Sequence, residues 1–266
     1  MAEFGSGHQP MLILGGFLIA PQAYGPMAEC LAELSGQPVR VVPASRFDWL
    51  ATLSAWGWLR LLDRVQLLAE KLAANSPSGR ITLVGHSSGG VMLRLWLAEL
   101  PLAGRAYGGA RLADGLITLG SPHTARRATA LRLWVDRQLP GAFCGDRVHY
   151  LSVAGDLDLS SPIASPLSRR MAARSYGAIG GPETLAGDPA TVGDPASLGD
   201  PATLGDPVTG GAARLAGDGL VPVGSALLAG SRQLVLPGVA HGGAFGSRWY
   251  GSPEVVAQWW QSARSG

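Results

Sequence analysis

Cysteine, charge and long apolar runs are all scarce in this chain, and each shortage excludes a class of protein. Two cysteines, Cys30 and Cys144, make neither a disulfide framework nor a metal cluster; they read as buried free thiols rather than a bridged pair. Charged residues are 15% of the chain and the formal net charge is +2, so nothing marks a nucleic-acid binder. The pairs Arg126-Arg127 and Arg169-Arg170 are short, lack interleaved aromatics and read as solvated surface. No apolar run reaches the ~18 residues of a membrane span. The N-terminus lacks the basic segment of a signal peptide, which leaves a cytoplasmic location as the expectation. Residues 1–10 read as a leader or a cloning remnant, and residues 11–261 as a single domain. With 266 residues, 47% of them apolar, the chain has material for one large α/β core.

What is present is an alternation of short apolar runs and helical periodicity. Met11-Leu12-Ile13-Leu14, Val39-Arg40-Val41-Val42, Ile81-Thr82-Leu83-Val84, residues 115–119, 150–154 and 232–236 read as strands. Between them, 23–34, 59–75 and 90–99 carry apolar residues at helical spacing, and Ser252-Pro253-Glu254 opens a final helix with a serine cap and a proline in its first turn. This order predicts a mostly parallel central sheet with helices on both faces. Residues 124–145 read either as a small cap over the sheet's working edge or as a crossover helix. Residues 184–208 hold four near-copies of a Gly-Asp-Pro unit. Regular aspartates raise calcium, but the G-G-x-G-x-D spacing is absent and proline follows each aspartate, so the stretch reads as a surface excursion of turns with no metal.

The chain's chemistry centres on Gly85-His86-Ser87-Ser88-Gly89, a G-x-S-x-G pattern between a strand and a helix. A turn this tight strains the serine's backbone, and the glycines make room where a Cβ would strike the neighbouring strand or helix. The Ser87 hydroxyl is thereby lifted clear of the sheet, beside the Ser88 N–H and the positive end of the helix. The turn Gly15-Gly16-Phe17 reads either as a plain βα connection or as the place of a second oxyanion donor, the N–H of Phe17. Asp156 follows a strand, Asp218 stands between glycines before an apolar run, and His241 lies in a glycine-rich loop after the last strand. Phe47, Trp49, Trp56 and Trp58 fall within twelve residues, which reads equally as groove lining, lipid contact or helix packing.

These motifs resemble the α/β-hydrolase superfamily, on its lipase and esterase side. Gly85 to Gly90 is similar to the lipase elbow GHSxGG, Leu119-Gly120-Ser121-Pro122-His123 to the LGTPH or LGSPH segment, and Asp218-Gly219-Leu220-Val221 to the segment holding the lipase acid. The ending Trp249 to Glu254 resembles small hydrolases common in cyanobacteria. The chain departs from many lipases in having Gly15-Gly16-Phe17 in place of a His-Gly oxyanion turn, which leaves a backbone donor intact. The resemblance implies a Ser87, Asp218, His241 triad, with Asp156 the rival acid, and an oxyanion hole from the N–H groups of Phe17 and Ser88. It implies a serine-dependent carboxylic ester hydrolase, an esterase or lipase, with no cofactor. Acyltransferase, thioesterase, amidase and non-catalytic lipid-binding readings use the same fold. Substrate contacts are expected from Trp49, Trp56, His123 and Trp134, partners are small-molecule or lipid esters, and the tryptophan cluster invites transient contact with a membrane surface.

Overall fold

The computed structural model describes residues 9–124, 128–179 and 216–265. The Gly-Asp-Pro stretch at 184–208 and most of the segment at 1–10 lie outside the described residues. Six strands form one sheet: β1 (Met11–Leu14), β2 (Val39–Val41), β3 (Ile81–His86), β4 (Ala113–Leu119), β5 (His149–Asp156) and β6 (Arg232–Pro237). Every pairing is parallel, and the spatial order is β2-β1-β3-β4-β5-β6. The expected fold class is therefore the one found.

That order fixes where a site can form. From β1 the chain steps outward to β2, then returns to place β3 on the other side of β1. Connections leaving the adjacent ends of β1 and β3 run in opposite directions, which opens a crevice at their C-terminal edge. Leu14 lies opposite Gly85 in this register, so Gly15-Gly16-Phe17 and Ser87 emerge side by side at the switch point.

Side chains alternate across β1 into two cores. Leu12 and Leu14 join one layer, while Met11 and Ile13 join the other. The first layer is covered by α3 (Ala55–Ala74) and α4 (Ser88–Leu97), the second by α1 (Gly25–Ser35) and α8 (Pro253–Arg264). In α3 the buried Leu61, Leu62, Val65, Ala69 and Ala73 recur at helical spacing, with Leu68 and Leu72 packed at the margin. Trp259 of α8 is fully buried, a contribution of about 3 kcal/mol by area. α4 is buried along its length, including Arg94, because it lies on the sheet at β3 and β4 with α3 and the helix at Ala130–Gln138 packed against it.

The tryptophan-rich stretch folds as α2 (Arg46–Ala51) and the start of α3. Ser45 and Asp48 form a reciprocal capping box at the start of α2, and Arg64 of α3 clamps both Asp48 oxygens at 2.8 and 2.9 Å. The clamp points Trp49 and Trp58 inward and leaves Phe47 (83% exposed) and Trp56 (60%) outside. Between β4 and β5 lies α5 (Ala130–Gln138). Its C-terminal end is tied down by the Arg94 guanidinium, which donates to the carbonyls of Leu139 and Gly141. α6 (Pro166–Ile179) follows β5, and the short α7 (Val223–Ala226) precedes β6. Cys144 is buried, whereas Cys30 on α1 is only half-buried, because α1 presents it at the edge of its contact with α8; both thiols are free. Among the described residues no helix is long and apolar enough to cross a membrane.

Candidate active site

Ser87 has φ 52° and ψ −126°, a conformation costing roughly 1–3 kcal/mol that persists only where the surroundings enforce it. Its N–H donates to the Leu119 carbonyl at 2.9 Å, which fastens the elbow to β4. The motif glycines are set by space. A Cβ on Gly85 would run into the Gly90 backbone, and one on Gly89 into the carbonyls of Leu14 and Gly15. Strand, serine turn and helix are thus stacked at backbone contact.

From the hydroxyl outward the groups form one hydrogen-bonded line. Ser87 Oγ lies 3.0 Å from His241 Nε2, and His241 Nδ1 lies 2.8 Å from Asp218 Oδ2. The carboxylate accepts from three further donors: the Tyr250 hydroxyl at 2.9 Å on Oδ2, and the N–H groups of Leu220 and Val221 at 3.0 and 2.7 Å on Oδ1. A carboxylate so surrounded is fixed as an acceptor, so His241 Nδ1 must carry the proton and Nε2 faces the Ser87 hydroxyl as an acceptor. All three side chains are nearly or fully buried. Of the two acids considered, Asp218 is the one in contact with His241; Asp156 ends β5, where its carbonyl accepts from Gly238.

The Gly16 carbonyl accepts from the Ile19 N–H at 3.2 Å. In a trans peptide this turns the Phe17 N–H the opposite way. Among the described residues, neither the Phe17 nor the Ser88 N–H has a protein acceptor, and both residues line the cavity that contains Ser87. That cavity is about 480 Å³ and predominantly apolar. Its walls include Ile19, Trp49, Val91, Met92, Val221 and Phe245, with Arg132 of α5 as a cationic point. The Phe17 ring meets Trp49 edge-on at 6.3 Å, closing one side.

The four expected substrate contacts separate. Trp49 lines the cavity. Trp56 does not, because α3 turns it to solvent, where the Arg60 guanidinium stacks on it at 4.7 Å. Trp134 packs half-buried against the core below α5. His123 lies beneath the cavity floor: its Nδ1 faces Arg94 at 3.5 Å, so Nε2 donates to Thr118 Oγ1 at 3.0 Å. Burial, aided by the charges of Arg94 and Arg132, pushes its pKa well below the usual histidine value. Among the described residues no group of three or more His, Cys, Asp or Glu is placed to hold a metal.

Three tyrosines that the sequence did not single out buttress the site. Tyr24, Tyr176 and Tyr250 each accept a glycine N–H, from Gly16, Gly219 and Gly155, at 2.7, 2.8 and 2.6 Å. These partners are 8, 43 and 95 residues apart, so no local pattern marks them. Gly120 of the LGSPH-like segment also gains a role. A Cβ there would stand 2.6 Å from Asp218 Oδ2 and 2.7 Å from the Tyr250 ring.

No family model matches the chain, and no curated protein matches it. Solved structures overlap it in part. An acetylxylan esterase is 12% identical with a TM-score of 0.35, over 46% of this chain and 66% of its own. A polyneuridine aldehyde esterase is 14% identical with a TM-score of 0.34, over 51% and 49%. Lipase B of Aspergillus fumigatus is 18% identical with a TM-score of 0.39, over 58% and 39%. The chain spans less than two thirds of the length of each. They are what it is similar to in part.

Proposed function

We propose that the protein is a serine-dependent carboxylic ester hydrolase of the α/β-hydrolase type, acting through an acyl-enzyme. The observation that carries this reading is the unbroken Ser87–His241–Asp218 line opening into an apolar cavity. In the first half-reaction His241 Nε2 takes the Ser87 proton as Oγ attacks the ester carbonyl carbon. The carbonyl oxygen becomes an oxyanion facing the N–H groups of Phe17 and Ser88, each worth on the order of 3 kcal/mol. Collapse of the tetrahedral centre breaks the bond to the alcohol, which leaves with the proton held by His241. Water then attacks the acyl-enzyme by the reverse sequence, with His241 again the base. Asp218 holds the imidazole orientation and stabilises the imidazolium formed in each half.

The apolar walls favour an acyl chain over a polar one. Leu53 lines the mouth and is 71% exposed, and Phe47 and Trp56 stand out from the same corner. These exposed groups support esters presented at a lipid surface, which flotation with phosphatidylcholine vesicles tests. Hydrolysis of p-nitrophenyl esters from acetate to palmitate, by wild type and Ser87→Ala, tests the reading itself. Turnover that survives in Ser87→Ala overturns it.

A further inference from the structure

His86 is wholly buried directly before the nucleophile, yet it takes no step in the chemistry above. Its partners fix its state. Nε2 lies 2.7 Å from the His241 carbonyl oxygen, which only accepts, so Nε2 carries a proton. Nδ1 lies 2.7 Å from the Tyr24 hydroxyl, whose oxygen already accepts from the Gly16 N–H. Among the described residues Nδ1 is the one acceptor within reach of the Tyr24 hydroxyl proton, and burial keeps the ring uncharged, so the hydroxyl donates to Nδ1 and the ring is the neutral Nε2–H tautomer. Each donor and acceptor in the chain Gly16, Tyr24, His86, His241 is used once and in one direction.

We propose that Tyr24 and His86 are positioning residues that lock the oxyanion turn to the backbone of the general base. The proposal rests on the hydrolase reading of the same site. Gly16 precedes Phe17, the turn's oxyanion donor, and His241 carries the base, so this relay joins the two groups that must bracket one carbonyl. Contact is close along its length. A Cβ on Gly16 would lie 2.8 Å from Ser87 Cβ and 3.1 Å from His86 Nδ1. The His86 ring is held by the rings of Tyr24, His241, Trp249 and Tyr250, with centroids between 4.8 and 5.9 Å away. Burial lowers the pKa of His86 well below the usual histidine value and raises that of Tyr24, which keeps both uncharged. An uncharged relay adds rigidity without competing for the Ser87 proton.

Neither residue touches substrate, so its loss acts on the transition state more than on binding. Tyr24→Phe removes the hydroxyl alone. With p-nitrophenyl butyrate, kcat is expected to fall about 10- to 100-fold while KM stays within about 2-fold. Phenylboronic acid forms a tetrahedral adduct on the serine whose oxygen occupies the oxyanion position, and its affinity falls by the same factor. His86→Gln keeps one acceptor and one donor and retains most of the activity that His86→Ala loses. In the wild type, ¹⁵N spectra at pH 7 are expected to show His86 as the neutral Nε2–H tautomer, a readout needing no variant.

Wild-type kcat in Tyr24→Phe and His86→Ala, or boronate affinity unchanged while kcat falls, overturns the proposal. An Nδ1–H or doubly protonated His86 overturns it as well. Absence of Ser87-dependent turnover and of boronate binding in the wild type removes the hydrolase reading and this one with it, a result separate from an active enzyme indifferent to Tyr24.

Discussion

Asp218→Asn puts the sharpest strain on the proposed mechanism, because it alters one atom of a carboxylate with four donors. The amide oxygen keeps the Leu220 and Val221 N–H bonds at 3.0 and 2.7 Å, so the loop has reason to stay folded. The amide nitrogen then takes the place of Oδ2 and presents protons to the Tyr250 hydroxyl and to His241 Nδ1. His241 answers by accepting at Nδ1 and carrying its proton on Nε2. That proton faces Ser87 Oγ at 3.0 Å, where a base is required. The same exchange in a serine-protease triad lowers kcat about 10⁴-fold, equivalent to about 5.4 kcal/mol of transition-state stabilisation. A loss of that order is expected in kcat for p-nitrophenyl butyrate, with KM little changed and a melting scan that still shows a cooperative transition. Asp156→Asn, made alongside, is expected to retain activity. An Asp218→Asn enzyme within about tenfold of wild type, or an equal loss in Asp156→Asn, refutes the assignment of the acid.

Other expectations test the surroundings. Gly120→Ala adds a Cβ where φ is +54° and Asp218 Oδ2 would be 2.6 Å away, so activity is expected to fall about 100-fold, with a stability loss above 1 kcal/mol in urea titration. From acetate to butyrate, two methylenes entering an apolar wall raise kcat/KM about 15-fold at ~0.8 kcal/mol each. Trp49→Ala is expected to flatten that gain and Trp56→Ala to leave it intact; the reverse pattern contradicts the placement of these rings. Burial is the main cause of the lowered pKa values of His86 and His123. The unfolded chain therefore binds the extra protons. Stability is intact above about pH 6.5 and drains as pH falls below it, toward a limiting slope of about 1.4 kcal/mol per unit for each histidine. Urea midpoints at pH 7.5, 6.5 and 5.5 check this, and a midpoint that rises on acidification contradicts it.

Much of the frame was legible because its signals are local. Met11–Leu14 appears at the bounds its apolar run predicted, and β3 and β5 extend theirs by two or three residues. The elbow was readable because backbone collisions at Gly85 and Gly89 leave glycine as the residue that fits. Long-range relations were not readable. Apolar runs do not encode strand order, so the placement of β1 beside β3, which creates the crevice, had to come from the structure. α6 was not anticipated, because its arginines and serines weaken the helical period. The aromatic cluster at 47–58 left its direction open, since the Arg64 clamp on Asp48, which decides it, comes from another helix. The tyrosine buttresses were silent for the same reason.

The proposed mechanism makes Ser87 the acylated nucleophile, which covalent trapping reads without a substrate. Wild type and Ser87→Ala are treated with a fluorophosphonate, and intact mass and peptide mapping are compared. One adduct per chain is expected, on Ser87, and none on the variant. A folded wild-type protein that stays unlabelled, or one labelled elsewhere and equally in Ser87→Ala, contradicts it.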